Sequence, residues 1–223
     1  MIANSTRKLS LTKAVIFDLD GTLIDSAPII GGVLNSMREE NGLPTLPLDS
    51  YRNWISLGAI DLVEKATVGI IGNLGDLLAE FRRRYWLLPT PVDSLYSGAD
   101  WVIKELASKD IKLAICSNKP EHLCKKILDE IQLLEYFDSI VGGDTAEKSK
   151  PHREPIDFAL RELEIDSAFF VGDSVVDQKA AREAGMPFIF FSGGYNDGVD
   201  EGQVFSVIND LKQVVELSQR SHI

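Results

Sequence analysis

Apolar and polar positions along this chain fall into blocks that predict a βα succession interrupted once. The first block, 13–18 (KAVIFD), is apolar through its centre and rich in β-branched or aromatic residues. That pattern predicts a strand buried on both faces of a parallel sheet. The block stops abruptly at Asp-Leu-Asp-Gly-Thr, so two carboxylates and a glycine stand at its carboxyl end. Open α/β sheets bind their ligands at that edge. A helix is expected over 27–41, with Pro28 in its first turn and Gly42 as its left-handed stop. From there to about Ser97 no strand is predicted. Helical segments over 49–57, 59–68 and 74–87 are broken by Gly58, Gly69, Gly72 and Gly75, and the stretch from Pro89 to Pro91 ends the run.

Alternation then resumes. Helices are expected over 100–108, 121–133, 155–163, 176–184 and 207–218, and strands over 111–116, 139–141, 168–171 and 188–191. Repeated βα units predict an α/β fold with a doubly wound parallel sheet. The all-helical block reads as a cap inserted over the carboxyl edge of that sheet. The expected division is a catalytic core over 10–26 and 94–223 and a helical cap domain over 27–93. No internal repeat or low-complexity segment stands out.

Composition narrows the class. The chain has 223 residues, 44% hydrophobic and 26% charged, ordinary globular values that argue against disorder or a collagen-like repeat. Its formal net charge is −11, from 34 acidic against 23 basic residues, a surface that repels nucleic-acid phosphates. A small anion held in a local positive pocket stays compatible with that charge. Cys116 and Cys124 cannot build a disulfide framework and match no zinc spacing, so both are expected as free thiols in a reducing cytoplasm. No run is long and apolar enough for a membrane span, and residues 1–9 read as a floppy tail without the apolar stretch of a signal peptide. Oligomeric state is not legible.

Three strand ends then supply reactive groups in step. The first gives Asp18, Asp20 and Thr22, the second Ser117 and Asn118, and the third Asp173, Ser174 and Asp177. Lys148 and Lys150 lie between the second and third. Carboxylates, a hydroxyl and an amine at one sheet edge describe a site for an anion together with a cation. A phosphoryl group repels a carboxylate nucleophile, and a hard divalent cation such as Mg²⁺ removes that obstacle through oxygen ligands. Asp18, Asp173 and the main-chain carbonyl of Asp20 can supply those oxygens. Lys150 and the Ser117 hydroxyl can bind the remaining phosphoryl oxygens. Attack by Asp18 would form an aspartyl-phosphate, while Asp20 would protonate the departing alkoxide and then deprotonate water.

The segments Asp18-Leu19-Asp20-Gly21-Thr22-Leu23, Ser117-Asn118, Lys150-Pro151 and Gly172-Asp173-Ser174-Val175-Val176-Asp177 resemble the four signature motifs of the haloacid dehalogenase-like hydrolase superfamily. Asp25-Ser26 and Ala180-Ala181-Arg182-Glu183-Ala184-Gly185-Met186 are similar to its phosphoglycolate phosphatase-like branch, and the resemblance spans about 13–216. It implies a Rossmann-like core with an α-helical C1-type cap after the first strand. It also implies a Mg²⁺-dependent phosphatase acting on a small phosphorylated metabolite, phosphoglycolate-like or a sugar phosphate. Asp18 would be the nucleophile and Asp20 the acid/base. Asp18, Asp20 and Asp173 would hold the metal, with Asp177 on the metal side, orienting water or Lys150. Thr22, Ser117, Asn118, Lys150 and, from the cap, Arg52 are the expected substrate contacts. Members of the superfamily often read Lys-Pro-x-Pro, whereas this chain has Lys150-Pro151-His152-Arg153 with Pro155 later. Lys150 is expected over Lys148 because it directly precedes the proline.

Plainer readings compete. An Asp-rich turn can be structural, but the sixth position of a calcium loop needs Gly where Leu23 stands. Asp177 can cap the helix that follows it, and Asn118 is read as a cap for the helix after it. Lys119 is expected at the surface, and His152, His122 and His222 as bystanders. Gly193-Gly194 reads as a loop without a dinucleotide fingerprint. Lys65 and Arg82-Arg83-Arg84 read as solvated helix faces and Trp54 as cap core. Among other functions, a phosphomutase of the β-phosphoglucomutase type is disfavoured by Thr22, a position where such relatives often carry Val. Carbon–halogen hydrolysis has no use for Asp20. A non-catalytic phospho-receiver would need neither Asp20 nor a cap. Hinges are expected near 26–28 and 91–97, where the chain leaves and rejoins the core.

Overall fold

The computed structural model describes residues 13–219. The tail expected over residues 1–9, the start of the expected core at 10–12, and His222 lie outside them. Six parallel strands form one sheet in the order β3-β2-β1-β4-β5-β6. They are β1 (Ala14–Phe17), β2 (Lys112–Cys116), β3 (Ser139–Val141), β4 (Phe169–Gly172), β5 (Phe188–Phe191) and β6 (Ser206–Ile208). β1 lies inside the sheet, with Phe17 level with Ile115 of β2 and Val171 of β4. The chain reverses direction from this strand, so the carboxyl ends of β2, β1 and β4 form the crevice that doubly wound sheets use for ligands.

Side-chain alternation explains why the strands read as continuously apolar. Val15, Phe17, Leu113, Ile115, Phe169 and Val171 enter one apolar cluster, with α5 (Ala99–Ala107), α6 (Glu121–Glu130) and α9 (Gln213–Ser218). Ala14, Ile16, Ala114, Cys116 and Phe170 enter the other, with α7 (Glu154–Glu162) and α8 (Val175–Ala184). Helices cover both faces, so period-two alternation carries no polar side.

The helices α1 (Ala27–Glu40), α2 (Leu48–Ile55), α3 (Ala59–Ala66) and α4 (Leu74–Leu87) lie between β1 and β2 in sequence and pack on one another. Buried Arg38 pins their connections by donating to the carbonyls of Pro44 and Ala66, each at 2.8 Å. The segments leaving and rejoining the sheet run side by side. The Asp25 amide donates to the Ser94 carbonyl at 2.8 Å and the Tyr96 amide to that of Leu23 at 2.9 Å.

One element differs from expectation. The helix expected over 207–218 is instead β6 followed by a turn and α9. Val207 and Ile208 extend the sheet beside Phe190 and Phe191, and Asn209-Asp210 breaks the chain before the helix starts. Strand pairing overrides local helical pattern there.

Candidate active site

Asp18 leaves β1 with its amide still bonded to the Val171 carbonyl at 2.9 Å, so the neighbouring strand fixes where its side chain starts. Its carboxylate is 5% exposed and accepts the Leu19 amide at 2.7 Å. Asp173 follows β4 and Asp177 sits in the first turn of α8. Ligand oxygens of Asp18, Asp173 and Asp177 all lie within 4.8 Å of one another.

The support for each acid is local. Asp173 accepts the Thr22 hydroxyl on one oxygen and the Tyr195 amide on the other, both at 2.8 Å. Gly21 has φ +84 and approaches so closely that a side chain there would collide with the Asp173 carboxylate. Gly194 closes the same loop from the β5 side; a methyl there would overlap the Gly21 carbonyl oxygen and the Asp173 side chain. Gly194→Ala should therefore destabilise the protein by roughly 1–3 kcal/mol and weaken cation binding in a calorimetric titration. A fully stable variant with unchanged binding would contradict this packing.

Asp177 does two things at once. One oxygen accepts Lys150 Nζ at 2.6 Å; the other accepts the Ser174 hydroxyl and amide at 2.6 and 3.1 Å, completing a capping box. Lys150, 4% exposed, also stands 3.0 Å from Asp18 Oδ1, whereas Lys148 is exposed. Burial, the largest influence, works to lower the Lys150 pKa, but Asp177 and Asp18 outweigh it and hold the ammonium charged. Burial pushes the Asp18 carboxyl up to about 7, opposed by Lys150 and assisted by Asp177 and Asp20. Asp173 is also raised well above the carboxylate range by burial, then by Asp177 and Asp18.

Three acids against one lysine leave this buried cluster with surplus negative charge. Oxygen-only donors with surplus charge suit a hard divalent cation, so the residues present fit one.

Ser117 directly follows β2, 3% exposed, with its amide on the Val141 carbonyl and its hydroxyl accepting the Lys119 amide at 3.4 Å. Asn118 does not cap α6, whose cap position is Pro120 without a side-chain bond. Its amide nitrogen instead donates to the carbonyls of Ser56 and Lys150 at 3.0 and 2.9 Å, joining the inserted helices to the lysine loop. The Thr22 hydroxyl is engaged by Asp173 rather than left for a ligand.

Lys119 is the largest correction. Expected at the surface, it is 9% exposed, with Nζ 3.0 Å from Asp20 Oδ2 and 3.2 Å from the Tyr85 hydroxyl of α4. Burial works to lower its pKa, and Asp20 and Tyr85 more than reverse that. A lysine two residues past a strand-end serine was the available signal. Tyr195 was missed as well: its hydroxyl accepts the Ser26 and Ala27 amides at 2.9 and 3.2 Å while its own amide holds Asp173. Its signal was position, since β5 neighbours β4 and its trailing loop opens on the same edge.

Between the sheet edge and the inserted helices lies a cavity of about 400 Å³, counting its open mouth. Asp20, Asn118 and Lys119 line its base; Ile30, Ile55, Leu62, Phe81, Arg82 and Tyr85 line its walls. Asp20 Oδ1 and Asn118 Oδ1 are buried without a hydrogen-bond partner among the described residues. Arg52 is not among the lining residues; it pairs with Asp25 at 2.8 Å and Asp49 at 2.9 Å. Arg83 and Arg84 pair with Glu80, and Arg84 also with Glu40, while Lys65 and His122 are exposed. The His152 imidazole accepts the Glu154 amide at 3.2 Å and stands 3.8 Å from the Glu154 carboxylate. Both cysteines are buried and unpaired, and Trp54 packs at the edge of the core.

A family model described as haloacid dehalogenase-like hydrolase matches residues 15–191. The phosphoglycolate phosphatase of Pseudomonas savastanoi pv. phaseolicola is 36% identical over 216 residues, covering 92% of this chain and 79% of that one. That of Rhodobacter capsulatus is 34% identical, covering 92% and 98%. Among solved structures, a predicted phosphoglycolate phosphatase from Haemophilus somnus superposes with TM-score 0.82 at 24% identity, over 95% of this chain and 100% of that one. A mutant CbbY from Rhodobacter sphaeroides in complex with xylulose-(1,5)bisphosphate gives 0.79 at 20% identity, over 94% and 100%. At those identities the two structures show the fold.

Proposed function

Because this chain belongs to the haloacid dehalogenase-like hydrolases and is a phosphatase of small phosphorylated metabolites, we propose that Asp18 is its nucleophile, Asp20 its acid/base and Mg²⁺ its metal. The observation that carries this reading is the buried cluster of Asp18, Asp173 and Asp177 with Lys150 beside it, adjoining a cavity that Asp20 faces.

Asp18 and Asp173, with the Asp20 carbonyl, would hold Mg²⁺, which neutralises phosphoryl charge so that a carboxylate can approach phosphorus. Asp177, both oxygens already engaged, acts from behind by orienting Lys150. Lys150 and the Ser117 hydroxyl bind phosphoryl oxygens. Asp18 Oδ attacks, its bond to phosphorus forms as the ester bond breaks, and Asp20 gives its proton to the departing oxygen. Asp20 then takes a proton from water attacking the aspartyl-phosphate, which frees Asp18 and phosphate. Residues 27–93 form the cap over this edge, hinged near 26–28 and 91–97. Tyr195 holding the Ser26 and Ala27 amides supports the first hinge position. The names of the relatives favour a phosphoglycolate-like substrate over a sugar phosphate. Two buried free thiols suit a cytoplasmic setting, and no helix among the described residues is long and apolar enough to cross a membrane.

Phosphate release from p-nitrophenyl phosphate and from a panel of phosphorylated metabolites, with Mg²⁺ or with a chelator, tests the reading. Activity that survives complete chelation would remove the metal from it.

Linkage gives a second test. Asp18 is raised from 3.8 to about 7 in the folded protein, so between those values the native state holds the proton that the unfolded chain has lost. Metal-free stability contributed by this group therefore falls as pH rises through that window. A cation must displace the proton below about pH 7, so Mg²⁺ should raise Tm more at pH 8 than at pH 5.5. Equal increments at the two pH values would contradict the site.

A further inference from the structure

Nothing in the reaction above uses Lys119, although it is the buried cation of the cavity. Its ammonium has three N–H donors. Asp20 Oδ2 and the Tyr85 hydroxyl engage two of them, and the third has no hydrogen-bond partner among the described residues. Lys119 also sits 4.7 Å over the Tyr85 ring, so α4 fixes the ammonium by its face as well as its oxygen. With Asp20 Oδ2 engaged, the unpartnered Oδ1 is the oxygen left to meet a leaving group.

Distance then selects chemistry. When an ester oxygen lies beside Asp20, an anionic group one or two carbons further along comes within reach of an ammonium only 3.0 Å from the same carboxyl. The walls beyond are aliphatic and aromatic, and the other cation lining the cavity, Arg82, is exposed. A carboxylate placed there would satisfy the third N–H of Lys119, and a buried donor left unmet is costly.

We propose that Lys119, seated by Tyr85, is the specificity residue that receives the carboxylate of the phosphoglycolate-like substrate proposed above. This rests on the roles of Asp18 and Asp20 proposed above.

A matched pair of esters, 2-phosphoglycolate and ethyl phosphate, tests it, since they differ by a carboxylate in place of a methyl group. Wild-type protein should prefer the first in kcat/KM by about 10²-fold or more, the scale of a charge-assisted hydrogen bond in a desolvated site. Lys119→Met should bring the ratio to within a few-fold of one, whereas Arg82→Met should keep it. Tyr85→Phe keeps the ring and the lysine, and should lower the ratio by about 3–10-fold. It carries the test if the lysine variant fails to fold. A ratio unchanged in Lys119→Met, or in Tyr85→Phe where that variant stands in, overturns the proposal, as does collapse in Arg82→Met. Hydrolysis of both esters at similar efficiency by wild type, dependent on Asp18, overturns this assignment alone. Hydrolysis of neither ester, nor of p-nitrophenyl phosphate, overturns the Asp18 reading with it.

Discussion

Asp18→Asn should abolish phosphate release while raising the melting temperature of the metal-free protein at pH 8. The first effect follows from removing the proposed nucleophile, for which losses on the order of 10⁴-fold or more are usual. An amide keeps the shape of the side chain but does not form the phosphoryl ester. The second effect is a charge argument. Burial and the neighbouring acids hold the Asp18 carboxyl at about 7 against an ordinary 3.8, so at pH 8 its ionised form costs the native state a few kcal/mol. The neutral isostere removes that cost and leaves Lys150 its 2.6 Å contact with Asp177. Quenched wild-type protein should carry a phosphoryl group on the peptide containing Asp18, and the variant should carry none. Turnover retained by Asp18→Asn would end the assignment.

Lys150→Met should move stability the other way. The ammonium bridges Asp18 and Asp177, and each is nearly sealed from water. Removing one partner of a buried ionic group leaves uncompensated charge and costs about 3–5 kcal/mol. Three acids would then face one another with no cation, so thermal denaturation should show a low Tm that Mg²⁺ restores in part. Activity should fall by about 10²–10³-fold, as for loss of one preorganised donor to a developing anion. A variant with wild-type Tm in the presence of chelator would mean that the acids do not repel one another as the geometry implies.

These opposite signs distinguish a reaction site from a salt bridge kept for stability. In an ordinary ion pair, removal of either partner lowers Tm. Here the acid side is overstocked, and only the lysine side is scarce.

Much of this arrangement is legible in the amino-acid sequence. Asp18, Asp173 and Lys150 were legible because they follow apolar strand-like runs or a distinctive Lys-Pro step, and parallel strands deliver their carboxyl ends to one edge. Lys119 was not. A lysine outside an apolar run is usually solvated, and nothing local says that Tyr85, 34 residues earlier, will close over it. Asn118 misled for the same reason: its residue type favours a cap, but the carbonyls of Ser56 and Lys150 arrive from two distant segments. Thr22 was expected to contact substrate, and only the fold brings Asp173 to its hydroxyl. At the carboxyl terminus, the pattern of 207–218 suited a helix until Phe190 and Phe191 offered Val207 and Ile208 a sheet edge. Contacts made across long stretches of sequence decided each of these positions.

The placement of β1 between β2 and β4 bears on amide hydrogen exchange. Val15, Ile16 and Phe17 have no solvent exposure, and ladders on both sides must open before their amides meet water. Deuterium should enter these positions last, at a rate set by global unfolding, while the segments at 26–28 and 91–97 exchange through smaller openings. The carboxylate proposed to react would thus be rooted in the slowest-exchanging segment of the molecule, and the proposed hinges would lie in faster ones.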